Sequence, residues 1–263
     1  MSVFIPSILP ICARKESVLV YQLYCLVRAK IRGEQKFQQV VDSKRLWLRL
    51  LKLVSDSPVT STILVLIFLG HLVKVLYFPD LAWESLAVWV PDAKHRILGG
   101  SALDLLVAFG EMVKASFFHH NIWHLLTNAS ALFATGMALE RRKGSAFFAV
   151  LYFASVLVGY TLLVLLSAKG YAWGASEGTW GVLAAFALVF SRCAVWSVVL
   201  LPPFIPIPFK ATVRLALGVF FVLKLADAYL NLQGQTIKYA HFSGAAVGVC
   251  FALVWLSIKG RKC

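Results

Sequence analysis

Six stretches of this chain are apolar enough to cross a lipid bilayer or nearly so: roughly 59–78, 120–139, 145–167, 175–192, 211–230 and 239–258. A span needs about 20 mostly apolar residues. Any one stretch fits the buried core helix of a soluble protein, but six of them in succession do not. Composition agrees: 60% of residues are hydrophobic and 14% are charged, where soluble domains run nearer a quarter charged. In hydrocarbon only α-helices and closed barrels satisfy every backbone N–H and C=O, and no alternating pattern argues for a barrel. The expected fold is an all-α polytopic membrane protein, a six-transmembrane-helix bundle.

Charge orients it. The formal net charge is +14, which invites a nucleic-acid reading, but the distribution argues against one. Basic residues gather before the first span (Arg14, Lys15, Arg28, Lys30, Arg32, Lys36, Lys44, Arg45, Arg49, Lys52) and after the second (Arg141, Arg142, Lys143). They recur around 192–214 (Arg192, Lys210, Arg214) and at the end (Lys259, Arg261, Lys262). The other side holds 79–118, more acidic than basic, and two short loops with one Lys each, Lys169 and Lys238. That is the positive-inside pattern, so both termini are expected on the cytoplasmic side or its equivalent, with membrane lipid as a partner and nucleic acid excluded.

Three divisions follow. Residues 1–57 form a basic segment, partly interfacial; 58–258 form the membrane domain; 259–263 form a basic tail. In the first, Leu46-Trp47-Leu48-Arg49-Leu50-Leu51-Lys52-Leu53 suits either a helix lying on anionic lipid or plain flanking charge. Glu16 is the only acid of the first 30 residues, which allows a mitochondrial leader, but the apolar stretches 3–12 and 18–27 fit one poorly. An endomembrane or plasma membrane suits them better than the mitochondrial inner membrane. Loop 79–118 is too long for an idle link. Its Trp83, Leu86, Trp89, Leu103 and Leu106 suggest a segment lying in the interface. Pro202-Pro203-Phe204-Ile205-Pro206-Ile207-Pro208 cannot be helix interior. Cys12, Cys25, Cys193, Cys250 and Cys263 show neither a disulfide framework nor a zinc pattern.

Ionisable and hydrogen-bonding residues inside a membrane are costly, so a cluster of them marks a functional site. His119, His124 and Asn128 stand at H-x4-H-x3-N spacing near the start of the second apolar run. Ser176 follows Gly174 and Ala175 where the fourth run begins, and His241 opens the sixth, with Gly244 and Gly248 on its face. The charge pattern puts all of these near one face of the membrane. Each has a plain alternative. A Ser at a helix start is most often an N-cap, a His at the interface can be structural, and a His–Asn pair can glue helices. Together they hold the parts for acyl transfer: a hydroxyl nucleophile, an imidazole base and donors for an oxyanion. Small residues at Gly178, Gly181, Gly244 and Gly248 would let the serine and histidine helices touch. A metal site at His119, His120 and His124 is disfavoured, because no carboxylate or thiolate shares that face and no His-Glu-x-x-His pattern occurs. Lys224 and Asp227, and His71 and Lys74, read as structural: a pair within the fifth span, and side chains that snorkel from the outer end of the first.

Over about 58–258 the chain resembles the rhomboid family of intramembrane serine proteases. The resemblance rests on His119, His124 and Asn128; on Gly174 and Ser176; and on Ala240, His241, Gly244 and Gly248. Leu139-Glu140-Arg141-Arg142-Lys143-Gly144-Ser145 is similar to the family's exit from its second helix, and Ile205-Pro206-Ile207-Pro208 to a stretch before its fifth. The resemblance implies a Ser176 nucleophile with His241 as general base and acid, Ser176 Oγ lying within hydrogen-bond reach of a His241 ring nitrogen. It implies an oxyanion hole of His124, Asn128 and the Ser176 backbone N–H, with His119, Gly174, Gly244 and Gly248 packing the site and Trp180 packing on His241. It implies no cofactor and no metal, and single-span transmembrane proteins as substrates, cut near the exoplasmic face. The other class is a rhomboid pseudoprotease that binds transmembrane clients without cleaving them; such proteins usually lack the Ser or the His, and this chain has both. A transporter is disfavoured, since neither inverted repeats nor broken helices appear apart from the proline loop. Two departures stand out. Glu177 occupies the position after the Ser where the family usually has Gly, and its carboxylate is expected to face the aqueous mouth of the cavity. The family's Trp-Arg pair is absent from the first loop, where Gly110-Glu111 stands.

Overall fold

The computed structural model describes residues 9–10, 43–77, 82–201, 205–230 and 235–259. In chain order these form strand β1 (Leu9–Pro10), helices α1 (Ser43–Ser55) and α2 (Pro58–Tyr77), a 3-10 turn (Ala82–Leu86), and strand β2 (Val88–Trp89). Helices α3 (Val90–Gly99), α4 (Ala102–Ala115) and α5 (Ile122–Ala131) follow, then a π-helical stretch (Leu132–Gly136), α6 (Met137–Lys143) and α7 (Ser145–Leu166). Strand β3 (Tyr171–Ala172), α8 (Ser176–Val189), strands β4 (Ala194–Leu201) and β5 (Ile205–Thr212), α9 (Val213–Leu230) and α10 (Gln235–Lys259) complete the fold. The protein is a polytopic helical bundle. Among the described residues every apolar run read from the sequence is helical over most of its length, the second through α5, the π stretch and α6 in succession. Pro58–Tyr77, Ser145–Leu166 and Ala240–Ile258 are long and apolar enough to cross a membrane by length and composition.

The outside of the bundle is apolar. On α2 alone Val65, Leu66, Phe68, Leu69, Leu72 and Leu76 are exposed, a surface that needs hydrocarbon around it. Helix α8 is different. It has 14 residues, about 21 Å, too short for a bilayer core. Its residues 176–186 are all buried, because α7 and α10 pack on it. Where neighbouring helices replace lipid, helix length no longer has to match bilayer thickness.

Polar pins fix the membrane helices to one another. Pro58 suits the first position of α2, where a missing N–H costs nothing. The free N–H groups of Val59 and Thr60 donate to the Glu140 carboxylate of α6 at 3.0 and 2.8 Å, joined by the hydroxyls of Thr60 and Ser145, both at 2.7 Å. Glu140 is 1% exposed, and a buried carboxylate at a helix N-terminus is stabilised by the helix dipole as well as by its donors. At the other end of α2, Lys74 Nζ donates to the carbonyls of His119 and His120. It therefore ties the turn before α5 rather than simply snorkelling to water.

Residues 82–118 of the long loop are folded. Ser101 and Asp104 form a capping box at the start of α4. Strand β2 pairs antiparallel with β3, and Trp89 rests on Tyr171 with ring centres 4.6 Å apart. Leu98, Leu103 and Leu106 are exposed, as suits a segment at the membrane interface. The described part of the proline-rich segment, from Ile205, is strand rather than loop: β4 pairs antiparallel with β5, in a sheet ordered β1-β4-β5. Pro206 and Pro208 sit two apart on the edge strand, so both positions that lack an N–H lie on one side of it, which an edge strand tolerates. Cys193 is disulfide-bonded, which corrects the expectation of no disulfide. Cys12, Cys25 and Cys263, the stretches 3–12 and 18–27 apart from Leu9–Pro10, Pro202-Pro203-Phe204 and most of the tail lie outside the described residues, as do the side chains of Trp83, Lys224 and Asp227.

Glu140→Ala leaves a buried and a part-buried N–H group of α2 without their acceptor and should cost about 2–4 kcal/mol of stability. Glu140→Gln, which keeps an acceptor oxygen, should cost less; equilibrium unfolding in mixed micelles measures both.

Candidate active site

The segment that delivers Ser176 is held at three points. The Gly174 N–H donates to the Ala115 carbonyl of α4 at 3.1 Å. The Gly174 carbonyl accepts from the Tyr160 hydroxyl of α7 at 3.0 Å. The Ala175 N–H donates to Nε2 of His119 at 3.3 Å. Gly174 has φ +119°, a conformation side chains resist. A Cβ there would also lie 2.6 Å from Cε1 of His124, so only glycine fits. Ser176 is the first residue of α8, whose N-cap is Ala175 without a side-chain bond. The serine hydroxyl is therefore not spent on capping the helix.

Main-chain contact brings the histidine helix alongside. A Cβ on Gly248 would collide with the Gly181 carbonyl, and one on Gly244 with the Glu177 carbonyl. Gly181 in turn sits against the Ser155 hydroxyl of α7. The register steps from Glu177–Gly244 to Gly181–Gly248, four residues on each helix, so α8 and α10 run parallel. His241, one turn before Gly244, thus arrives beside the start of α8. Its ring lies parallel to that of Trp180, 10° between planes and 5.3 Å between centres, with Phe221 and Phe242 edge-on to the indole.

Glu177 departs from expectation. It does not face an aqueous mouth: the residue is 3% exposed, with its side chain lodged against Gly159 of α7. A Cβ on Gly159 would come within 2.5 Å of Glu177 Cγ. The Ser176 hydroxyl donates to Glu177 Oε2 at 3.0 Å rather than to His241, and Glu177 Oε1 lies 3.9 Å from His241 Nε2. The physical reason is the tight glycine seam: with its carbonyl turned to Gly244, the side chain is turned into the bundle toward α7.

His124 and Asn128 both face inward. The Asn121 side chain caps α5 by accepting from the His124 N–H at 2.8 Å, which aims the His124 ring at Gly174. Asn128 is buried, and its Nδ2 donates to the His124 carbonyl at 3.0 Å. His119 is buried, edge-on to His124 with ring centres 5.1 Å apart. Nothing in an apolar run pointed to Gly159 or Tyr160. Glu177 did carry a signal, as an acid beside the serine in an otherwise apolar helix.

A membrane bundle with a buried serine at a helix start, a histidine stacked on an indole beside it, and parallel helices joined through glycine defines a class of integral membrane protein. The chain belongs to the rhomboid family: the family model described as Rhomboid domain matches residues 108–258, more than half of it. It is 28% identical over 181 residues to "Rhomboid protein 1, mitochondrial" of Saccharomyces cerevisiae, covering 64% of this chain and 47% of that protein. It is 27% identical over 147 residues to "Rhomboid-like protease 3" of Toxoplasma gondii, covering 47% of this chain and 54% of that one. The chain thus spans about half the length of the curated relatives it matches.

Gly244→Ala and Gly248→Ala should push the two helices apart. A shift near 1 Å at a reacting group costs about a hundredfold in rate, so labelling of Ser176 by a fluorophosphonate should fall by that order. Gly218→Ala on α9, where nothing lies within 4 Å of the added carbon, should leave labelling unchanged.

Proposed function

We propose that this protein is an intramembrane serine endopeptidase that cleaves single-span transmembrane proteins near the exoplasmic face. Ser176 acts as nucleophile and His241 as general base and acid. The reading is carried by one observation: a buried serine hydroxyl, free of any capping role, meets one oxygen of the Glu177 carboxylate, and an imidazole held parallel to Trp180 lies 3.9 Å from the other. Membership of the rhomboid family supports it. In the acylation step the Ser176 proton passes to the imidazole, Oγ bonds the scissile carbonyl carbon, and the carbonyl π pair moves onto oxygen. The tetrahedral centre collapses as the C–N bond breaks and the leaving nitrogen takes the proton from His241. Water then repeats the sequence on the acyl-enzyme.

The Ser176 backbone N–H and the side chains of His124 and Asn128 are the candidate donors to the oxyanion. Asn128 Nδ2 carries two hydrogens, and only one is used on the His124 carbonyl. The charge pattern supports placing both termini on the cytoplasmic side, with the site toward the opposite face. The second reading, a pseudoprotease that holds transmembrane clients uncut, draws on the Ser176–Glu177 hydrogen bond, which points the serine proton away from the histidine.

In proteoliposomes with a single-span model substrate, Ser176→Ala and His241→Ala should each abolish cleavage while leaving the fold intact. Cleavage by Ser176→Ala would sink the protease reading. His124→Ala and Asn128→Ala should each slow cleavage by about 10²–10³, the scale of losing one oxyanion donor, and chelators should leave the rate unchanged.

A further inference from the structure

Glu177 is a deeply buried carboxylate that the serine–histidine chemistry does not need. Three features show that its place is built. Its side chain fills a notch that exists only because residue 159 is glycine. Its backbone carbonyl is gripped by Gly244. Its two oxygens face different partners, Oε2 the Ser176 hydroxyl at 3.0 Å and Oε1 the His241 Nε2 at 3.9 Å. A carboxyl group in so apolar a setting is costly unless its oxygens have partners. His124 and His119 approach the site from α5 and the turn before it, and Tyr152 and Tyr160 from α7. No described side chain of α9 is ionisable near it: Phe221 is the residue that helix sends to Trp180.

We infer that Glu177 is a third member of the site, a positioning residue that orients the Ser176 hydroxyl and offsets the positive charge His241 takes up when it accepts the serine proton. The inference rests on the protease reading above and deepens it. In the resting arrangement the hydroxyl is held by Oε2. Rotation about the Ser176 Cα–Cβ bond swings it from the carboxylate to the imidazole. As Oγ bonds the scissile carbon, its proton moves to Nε2 and the π pair moves to oxygen. Glu177 gains and loses no bond; in its ionised form it stands 3.9 Å from the nitrogen that takes up the proton, where a charge partner with little water around it acts strongly.

The test uses the full chain in proteoliposomes, with two readouts: Ser176 labelling by a fluorophosphonate, which needs no substrate docking, and cleavage of the model substrate. Glu177→Gln keeps shape and hydrogen bonding but removes the charge. It should slow both by about tenfold to a hundredfold, the effect of losing a close charge partner at low polarity. Glu177→Asp should recover part of the loss. Glu177→Gly should be as slow as Glu177→Gln, and added formate, a small carboxylate that fits the space beside Gly159, should speed its labelling several-fold. A purely structural role would show no formate rescue and no difference between Asp and Gln. Labelling and cleavage by Glu177→Gln equal to wild type, or faster in Glu177→Gly, would overturn the inference while leaving the serine protease reading in place. Failure of wild type and every variant to label would overturn both.

Discussion

The closest constraint in this molecule is the contact of main chain on main chain between the serine and histidine helices. Lipid gives apolar helices no reason to associate, so association in a membrane depends on how closely surfaces fit. Here the fit is made by the absence of side chains. Gly248 lies on the Gly181 carbonyl and Gly244 on the Glu177 carbonyl, where even a methyl group would collide. Ser176 precedes the first of these contacts by one residue and His241 precedes it by one turn. The relation of hydroxyl to imidazole therefore follows from backbone geometry, with the parallel Trp180 ring fixing the plane of the imidazole. Because α8 and α10 are parallel, α9 has to return the chain to the end from which α10 starts.

Two buried acids show what a carboxylate can do in a membrane protein. Glu140 is surrounded by two N–H groups and two hydroxyls and locks the start of α2 to α6 and α7. Its donors match its acceptor capacity, so its role is complete within the resting fold. Glu177 receives one hydroxyl, its own neighbour's, and keeps its other oxygen beside an imidazole just beyond hydrogen-bond distance. The first arrangement resists change and the second is poised for it. The same contrast separates the outer helices, whose exposed apolar faces meet lipid, from α8, which lipid does not reach and which can start and stop inside the bundle.

Much of this was legible in the chain. Long apolar runs and the paucity of charge determined a helical membrane bundle, since a bilayer leaves the backbone almost no other option. The pairing of small residues with Ser176 and His241 marked which helices would meet, and the spacing of His119, His124 and Asn128 marked the face that joins them. The proline-rich segment was rightly read as not helical, but its strand pairing depended on an edge position that local sequence does not reveal. The disulfide at Cys193 was equally illegible, because the cysteines of the chain show no framework spacing.

Sequence by itself determined composition-level and periodicity-level facts: solvent, the helical runs and the family. Tertiary structure decided where each polar group points. Glu177 is the clearest case. One residue from the serine, its carboxylate could face water or the interior with no change in sequence pattern, and the choice was made by Gly159 on one helix and Gly244 on another. Tyr160, His119 and Ala115 likewise hold the serine loop through bonds between segments far apart in the chain. Such contacts are set by the distance between helices in the folded bundle, and that distance is a property of many surfaces packed together rather than of any local run of residues.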